Sequence, residues 1–186
     1  MRLFIGVQLS PALRALVARE TGPLRSAIPD VRWTDEDALH ITLRFLGEVA
    51  EDDVASVGSA LEACASAQRP FTLSTTGLGA FPRMGRAQVV WLGVEDGGAT
   101  GGIVNCLDAA LAPLGFLPEQ RAFTPHVTLG RARNRNGVRV SDRERAMQLA
   151  VGSMQVDRIA LIRSHLGRGP ARHEVLRAAM LGGGTE

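Results

Sequence analysis

The chain has 186 residues, 45% apolar and 22% charged, with a net charge of +2. This composition excludes disordered, collagenous and fibrous repeat chains, and the length suits one domain or two lobes sharing a core. No apolar stretch approaches the roughly 20 residues that span a bilayer, so no membrane partner is expected.

Leu3–Leu9 is aliphatic and reads as a buried strand. Gln8, Pro11 and Arg14 interrupt it and no small-residue cleavage site follows, which argues against a signal peptide. Ser10-Pro11 opens a helix that Gly22 is expected to stop. Leu39–Leu46 reads as a strand, and Glu51–Gln68 as a helix with Val54, Val57, Leu61 and Cys64 on one face. Phe71–Leu78 and Ala87–Glu95 form two strands around a turn at Phe81–Gly85. Thr100 is expected to cap a helix ended by Gly115, and Phe123–Leu129 is a strand. Ser141 and Glu144 make a capping box for a short helix. Met154–Ser164 and Glu174–Ala179 close the fold, and Leu181–Glu186 reads as a frayed tail. Strands and helices in both halves, with hairpin-like pairs, indicate an α+β fold. No linker divides the chain, so residues 1–186 are taken as a single domain.

Cys64 and Cys106 are far apart and have no metal-ligand neighbours. Without an export signal they are expected to be free buried thiols in a reducing, cytoplasmic setting. All 21 basic residues are arginine. Six of them, Arg131, Arg133, Arg135, Arg139, Arg143 and Arg145, fall in one short segment. A solvated loop and a contact with a phosphate-bearing partner both fit that cluster.

The most informative pattern is internal. His40-Ile41-Thr42-Leu43 recurs 86 residues later as His126-Val127-Thr128-Leu129. The same offset carries Leu3–Val7 onto Val89–Gly93. A His followed by such a triplet arises by chance about once in a thousand, so a duplicated, pseudo-symmetric fold is expected. The strand period of two puts His and Thr on one face and the aliphatic residues on the other. Two facing motifs bring two imidazoles and two hydroxyls into one groove. Phosphodiester cleavage needs a base on the nucleophile and an acid on the leaving group, and histidine does either near neutrality. The threonine hydroxyls and a nearby arginine donate to phosphate oxygens. Each strand offers only one good metal ligand and no Asp, Glu or Cys stands at ligand spacing, so no metal is expected. His165 and His173 are expected to be ordinary residues near the closing strands.

The segments Leu39–Val49 and Thr124–Arg131, with Arg2–Val7, Val90–Val94 and Ile159–Gly167, resemble the two-histidine phosphoesterase superfamily. Within it the chain is similar to the ThpR/LigT-like bacterial RNA 2′,3′-cyclic phosphodiesterases. The resemblance implies a bilobal, pseudo-twofold α+β fold, with two antiparallel sheets, flanking helices and a groove between them. It implies hydrolysis of a 2′,3′-cyclic phosphate to a 2′-phosphate without metal or other cofactor. By the same resemblance His40 is the proton donor, His126 the proton acceptor, and Thr42, Thr128 and Arg131 bind the phosphate. The implied partners are RNA with 2′,3′-cyclic ends, tRNA fragments or small cyclic nucleotides, met by a monomer. Where many members carry Tyr before the late Glu-Val-Leu, this chain has His173. The alternatives are 2′–5′ joining of tRNA halves at the same site, and an RNA-binding module without turnover. Paired titratable groups argue against the latter, because binding alone has no need of them.

Overall fold

The computed structural model describes residues 1–147, 149, 152–165 and 172–182. Its strands are β1 (Arg2–Gln8), β2 (Val31–Trp33), β3 (His40–Glu48), β4 (Phe71–Phe81), β5 (Val89–Glu95), β6 (His126–Ala132), β7 (Ser153–Val156), β8 (Arg158–His165) and β9 (Arg172–Met180). They form one curled sheet in the order β7-β4-β5-β6-β3-β1-β8-β9, with β2 added beside β6. Every pairing is antiparallel. The two expected sheets are the halves β9-β8-β1-β3 and β7-β4-β5-β6. They meet at a single ladder pair, Ile41 with Val127. The α+β architecture and the relation between the halves follow the duplication of the motif.

The helices are α1 (Pro11–Glu20), α2 (Gly22–Ala27), α3 (Val54–Ser66), α4 (Ala99–Leu111) and α5 (Asp142–Arg145). Ser10 caps α1 by accepting the Leu13 N–H at 3.3 Å. Gly22 does not stop the chain's helical path; it begins α2 after Thr21. Thr100 is not the cap of α4. Gly98, at φ 87°, takes that place, and Asp96 accepts the N–H groups of Gly98 and Thr100 at 2.8 and 3.1 Å. The capping box of α5 forms as expected.

The apolar faces of both halves join in one buried cluster that includes Leu3, Leu24, Leu61, Leu73, Leu107, Leu129 and Leu161. Within it α3 and α4 pack side by side. Cys64 and Cys106 meet at that contact and form a disulfide, with Cα atoms 5.8 Å apart. The expectation of two free thiols is therefore corrected: sequence separation conceals the facing of two helix surfaces. The expected strand Met154–Ser164 is also two strands. Asp157 divides them, and the chain passes there from the edge of one half to the interior of the other. Leu181 is buried and its N–H donates to Asp157 O at 2.7 Å, so the expected tail begins later. Residues 183–186 of that tail, and 166–167 of the late resembling segment, lie outside the described residues.

Candidate active site

His40 and His126 each begin a strand, β3 and β6, beside the one pair that joins the halves. Along both strands His and Thr are half-buried and the residues between them are buried. That is the alternation expected of a motif with one face in a groove and one in the core. An antiparallel register through Ile41 and Val127 sets Thr42 toward His126 and His40 toward Thr128.

Both imidazoles are held in the same way. His40 Nδ1 lies 2.7 Å from Ala38 O, and His126 Nδ1 lies 2.7 Å from Thr124 O. A carbonyl only accepts, so Nδ1 carries the hydrogen in each ring. Nε2 is left as the working nitrogen. In His40 it accepts from the Thr42 hydroxyl at 3.0 Å. The carbonyl two residues upstream is thus a hidden part of each motif, and no side-chain pattern announces it.

Aromatic rings wall each histidine. His40 packs on Phe4 and His173, with centroids 4.7 and 4.8 Å away. His126 packs on Phe81 and Trp91 at 5.1 and 5.8 Å. The Trp91 indole lies across Gly79, where any Cβ would stand 2.1 Å from the ring. His173, expected to be an ordinary residue, is edge-on to His40, as Phe81 is edge-on to His126. His165 Nε2 instead lies 2.7 Å from a carboxylate oxygen of Glu174.

Burial pushes the His40 pKa down to about 4, with His173, His126 and Arg131 adding like-charge pressure. Burial also lowers His126, and Arg131 adds to it. His40, His126 and Arg131 therefore feel one another across one groove. Arg131 is exposed at the far end of β6, and its own pKa is lowered by desolvation, then by Arg32 and Arg2. Thr128, on the same strand, is half-buried on the groove face beside His126. A cavity of about 480 Å³ opens beside His126 and Thr42, lined also by Phe45, Phe81 and Phe123; His40, Thr128 and Arg131 are not part of its lining.

The repeat is shifted at one place. Ladder partners put Gly6 opposite Thr42 and Trp91 opposite Thr128, and Gln8 opposite His40 and Gly93 opposite His126. The first strand therefore maps onto β5 with an offset of 85, one less than the 86 of the histidine motifs. An offset of 86 would put core residues in the groove, because a one-residue slip turns every side chain over. The groove positions of β1 and β5 escaped the sequence for that reason.

The profile of the 2′-5′ RNA ligase superfamily matches residues 10–168. The chain is 34% identical to the RNA 2′,3′-cyclic phosphodiesterase of Methanothermobacter thermautotrophicus over 89% of its own length and 91% of that protein. It is 40% identical to the RNA 2′,3′-cyclic phosphodiesterase of Aeropyrum pernix over 74% of its length and 79% of that protein. Among solved structures it resembles TT0787 of Thermus thermophilus, with a TM-score of 0.78 and 28% identity over 98% and 99% of the two chains. It also resembles E. coli LigT complexed with 3′-AMP, with a TM-score of 0.75 and 27% identity over 97% of each chain.

Proposed function

The chain belongs to the 2′-5′ RNA ligase superfamily, and from that premise we propose that it hydrolyses RNA 2′,3′-cyclic phosphate ends to 2′-phosphates. The observation that carries this reading is the matched pair of imidazoles, each with Nδ1–H given to a carbonyl two residues upstream. Each keeps Nε2 unprotonated and turned to a proton transfer in the shared groove. The names of the similar proteins support the substrate class.

The cyclic phosphate lies between the motifs, its non-bridging oxygens accepting from the Thr42 and Thr128 hydroxyls and the Arg131 guanidinium. His126 Nε2 takes a proton from water, and the oxygen attacks phosphorus in line. The P–O3′ bond breaks, and His40 Nε2 gives its proton to O3′. Water and the cyclic ester become a 2′-phosphate and a free 3′-hydroxyl, and the proton on His126 returns to His40 through solvent.

His40 enters this cycle with a proton although burial holds its free pKa near 4. The phosphate anion supplies the difference. Charges attract more strongly in a desolvated site, so the more buried imidazole gains most from the anion. Once protonated, it is a strong acid. With one unprotonated nitrogen per histidine and hydroxyls beside them, the reaction in this reading needs no metal and no cofactor.

Residues 1–186 act in this proposal as one bilobal domain and as a monomer, on RNA ends, tRNA fragments or small cyclic nucleotides. Among the described residues no helix is long and apolar enough to cross a membrane. Attack by an RNA 5′-hydroxyl in place of water would give a 2′–5′ junction in the same groove, and the superfamily match favours keeping that reaction in view. The deciding experiment incubates the protein with adenosine 2′,3′-cyclic phosphate in EDTA and follows the product by phosphorus NMR. Adenosine 2′-phosphate is expected. Mainly 3′-phosphate would reverse the substrate in the groove, and activity restored only by added Zn²⁺ or Mn²⁺ would refute the metal-free mechanism.

A further inference from the structure

We infer that Arg2 and Arg32, beside Arg131, form a second phosphate site that holds the phosphodiester on the 5′ side of the terminal nucleotide. The inference rests on the proposed reaction and deepens it: it assigns residues to the phosphodiester that joins the terminal nucleotide to the rest of the RNA.

The three arginines are remote in sequence and come from three strands. Arg32 on β2 and Arg131 on β6 are direct ladder partners, so their side chains leave the same face of the sheet. Like charges placed opposite each other destabilise a strand pair. Arg2 opens β1, and its guanidinium carbon lies 4.9 Å from the centre of the Phe45 ring. Phe45 holds in the first half the place of Arg131 in the second, since it is opposite Phe4 as Arg131 is opposite Val89. Arg32 and Arg2 are also the two cations that bear on Arg131.

None of the three has an ion-pair partner among the described residues. Glu48, the ladder partner of Arg2, instead lies 3.5 Å from the N-terminal amine. Arg2 and Arg32 are exposed, so packing does not require them. Three uncompensated guanidiniums on a protein of net charge +2 carry a repulsion that a bound anion removes. Arg131 serves the reacting phosphate. The next anion along an RNA 3′ end is the phosphate on the 5′ oxygen of the same ribose, and guanidinium is well shaped to receive it. A mononucleotide ending in a 5′-hydroxyl has nothing to place there.

Calorimetric titration with adenosine 2′-monophosphate and adenosine 2′,5′-bisphosphate tests this without turnover. The wild-type protein is expected to bind the bisphosphate about tenfold tighter or more. In Arg2→Gln/Arg32→Gln that preference should fall to about onefold while the monophosphate Kd is kept. Arg69→Gln, before β4 and outside the cluster, should leave the preference intact. Equal affinities in the wild type, an unchanged preference in the double variant, or binding of neither ligand would overturn the second site. Turnover of a short RNA ending in a 2′,3′-cyclic phosphate is measured separately. Its absence in a protein that still prefers the bisphosphate would refute the proposed reaction and leave the second site standing.

Discussion

His40 carries two consequences of one burial. Its folded pKa is about 4 against an ordinary 6.5, so the unfolded chain takes up the proton first as pH falls. The contribution to stability is complete above 6.5 and drains away toward pH 4, by up to about 3 kcal/mol. Urea titrations at several pH values should show this loss in the wild type, and His40→Gln should flatten that part of the curve. The second consequence is chemical. His40→Ala and His126→Ala should each lower kcat by at least the roughly 10²–10⁴-fold of a lost acid or base. The double variant should be little worse than the singles, because the two act as a unit. Near-normal activity in a single variant would remove that histidine from the mechanism. His173 stands edge-on to His40 and presses its pKa down. His173→Phe keeps a ring against Phe4 and removes the second charge. NMR titration of the His40 ring should then give a higher pKa than in the wild type; no change would leave His173 with a packing role alone.

At the scale of elements, the buried Arg44 and its half-buried partner Asp108 shape the wall of the cavity. Arg44 on β3 is 5% exposed and reaches Asp108 of α4 at 2.8 Å. The same guanidinium donates to the carbonyl of Leu117, binding the segment that leads to Thr124 and His126. Arg44→Ala leaves the partly exposed Asp108 without its partner, which costs about 1–3 kcal/mol, less than a pair buried on both sides. Denaturant unfolding should show that loss, and KM should rise as the cavity wall loosens; an unchanged midpoint would mean that Asp108 finds water instead. The α3–α4 packing offers a second test. The Cys64–Cys106 bridge closes a separation of 42 residues. Replacing both with Ser should lower stability by about 2–4 kcal/mol in oxidising buffer. Equal stability of the variant and the oxidised wild type would show that helix packing alone holds the two helices together.

Across the whole molecule, the halves are near copies that differ in what surrounds their histidines and arginines. The second half carries the arginine-rich segment. Arg133, Arg135 and Arg139 are exposed beyond β6, while the carbonyl of Arg135 is fastened by the Gln88 side chain at 2.8 Å. That fastening holds the backbone and leaves the guanidiniums outward, where the flanking strand of a bound RNA would pass. Neutralising the three should spare turnover of a cyclic mononucleotide. It should weaken oligonucleotide binding and flatten its salt dependence by about one unit of slope or less for each phosphate that is no longer neutralised. Unaltered oligonucleotide binding at every salt concentration would mark the segment as solvated surface.

Sequence by itself determined the parts that depend on local pattern. Alternation and capping residues placed most strands and helices, because they act within a few residues of the chain. The repeated His-x-Thr told which side chains share a strand face and therefore a groove. Tertiary structure decided what depends on which segments meet. The β1 register, one residue off the motif offset, decided that Phe4 and Trp91 stand under the histidines. The break at Asp157 was hidden because the apolar run continues through it, although the strands on either side join opposite halves. Packing of α3 on α4 made a disulfide of two cysteines that look unrelated along the chain. Likewise His173, Arg2 and Arg32 lack any local signature. His173 meets His40, Arg2 meets Phe45 and Arg32 meets Arg131 only through β9, β1 and β2 pairing with distant segments, which no short sequence window contains.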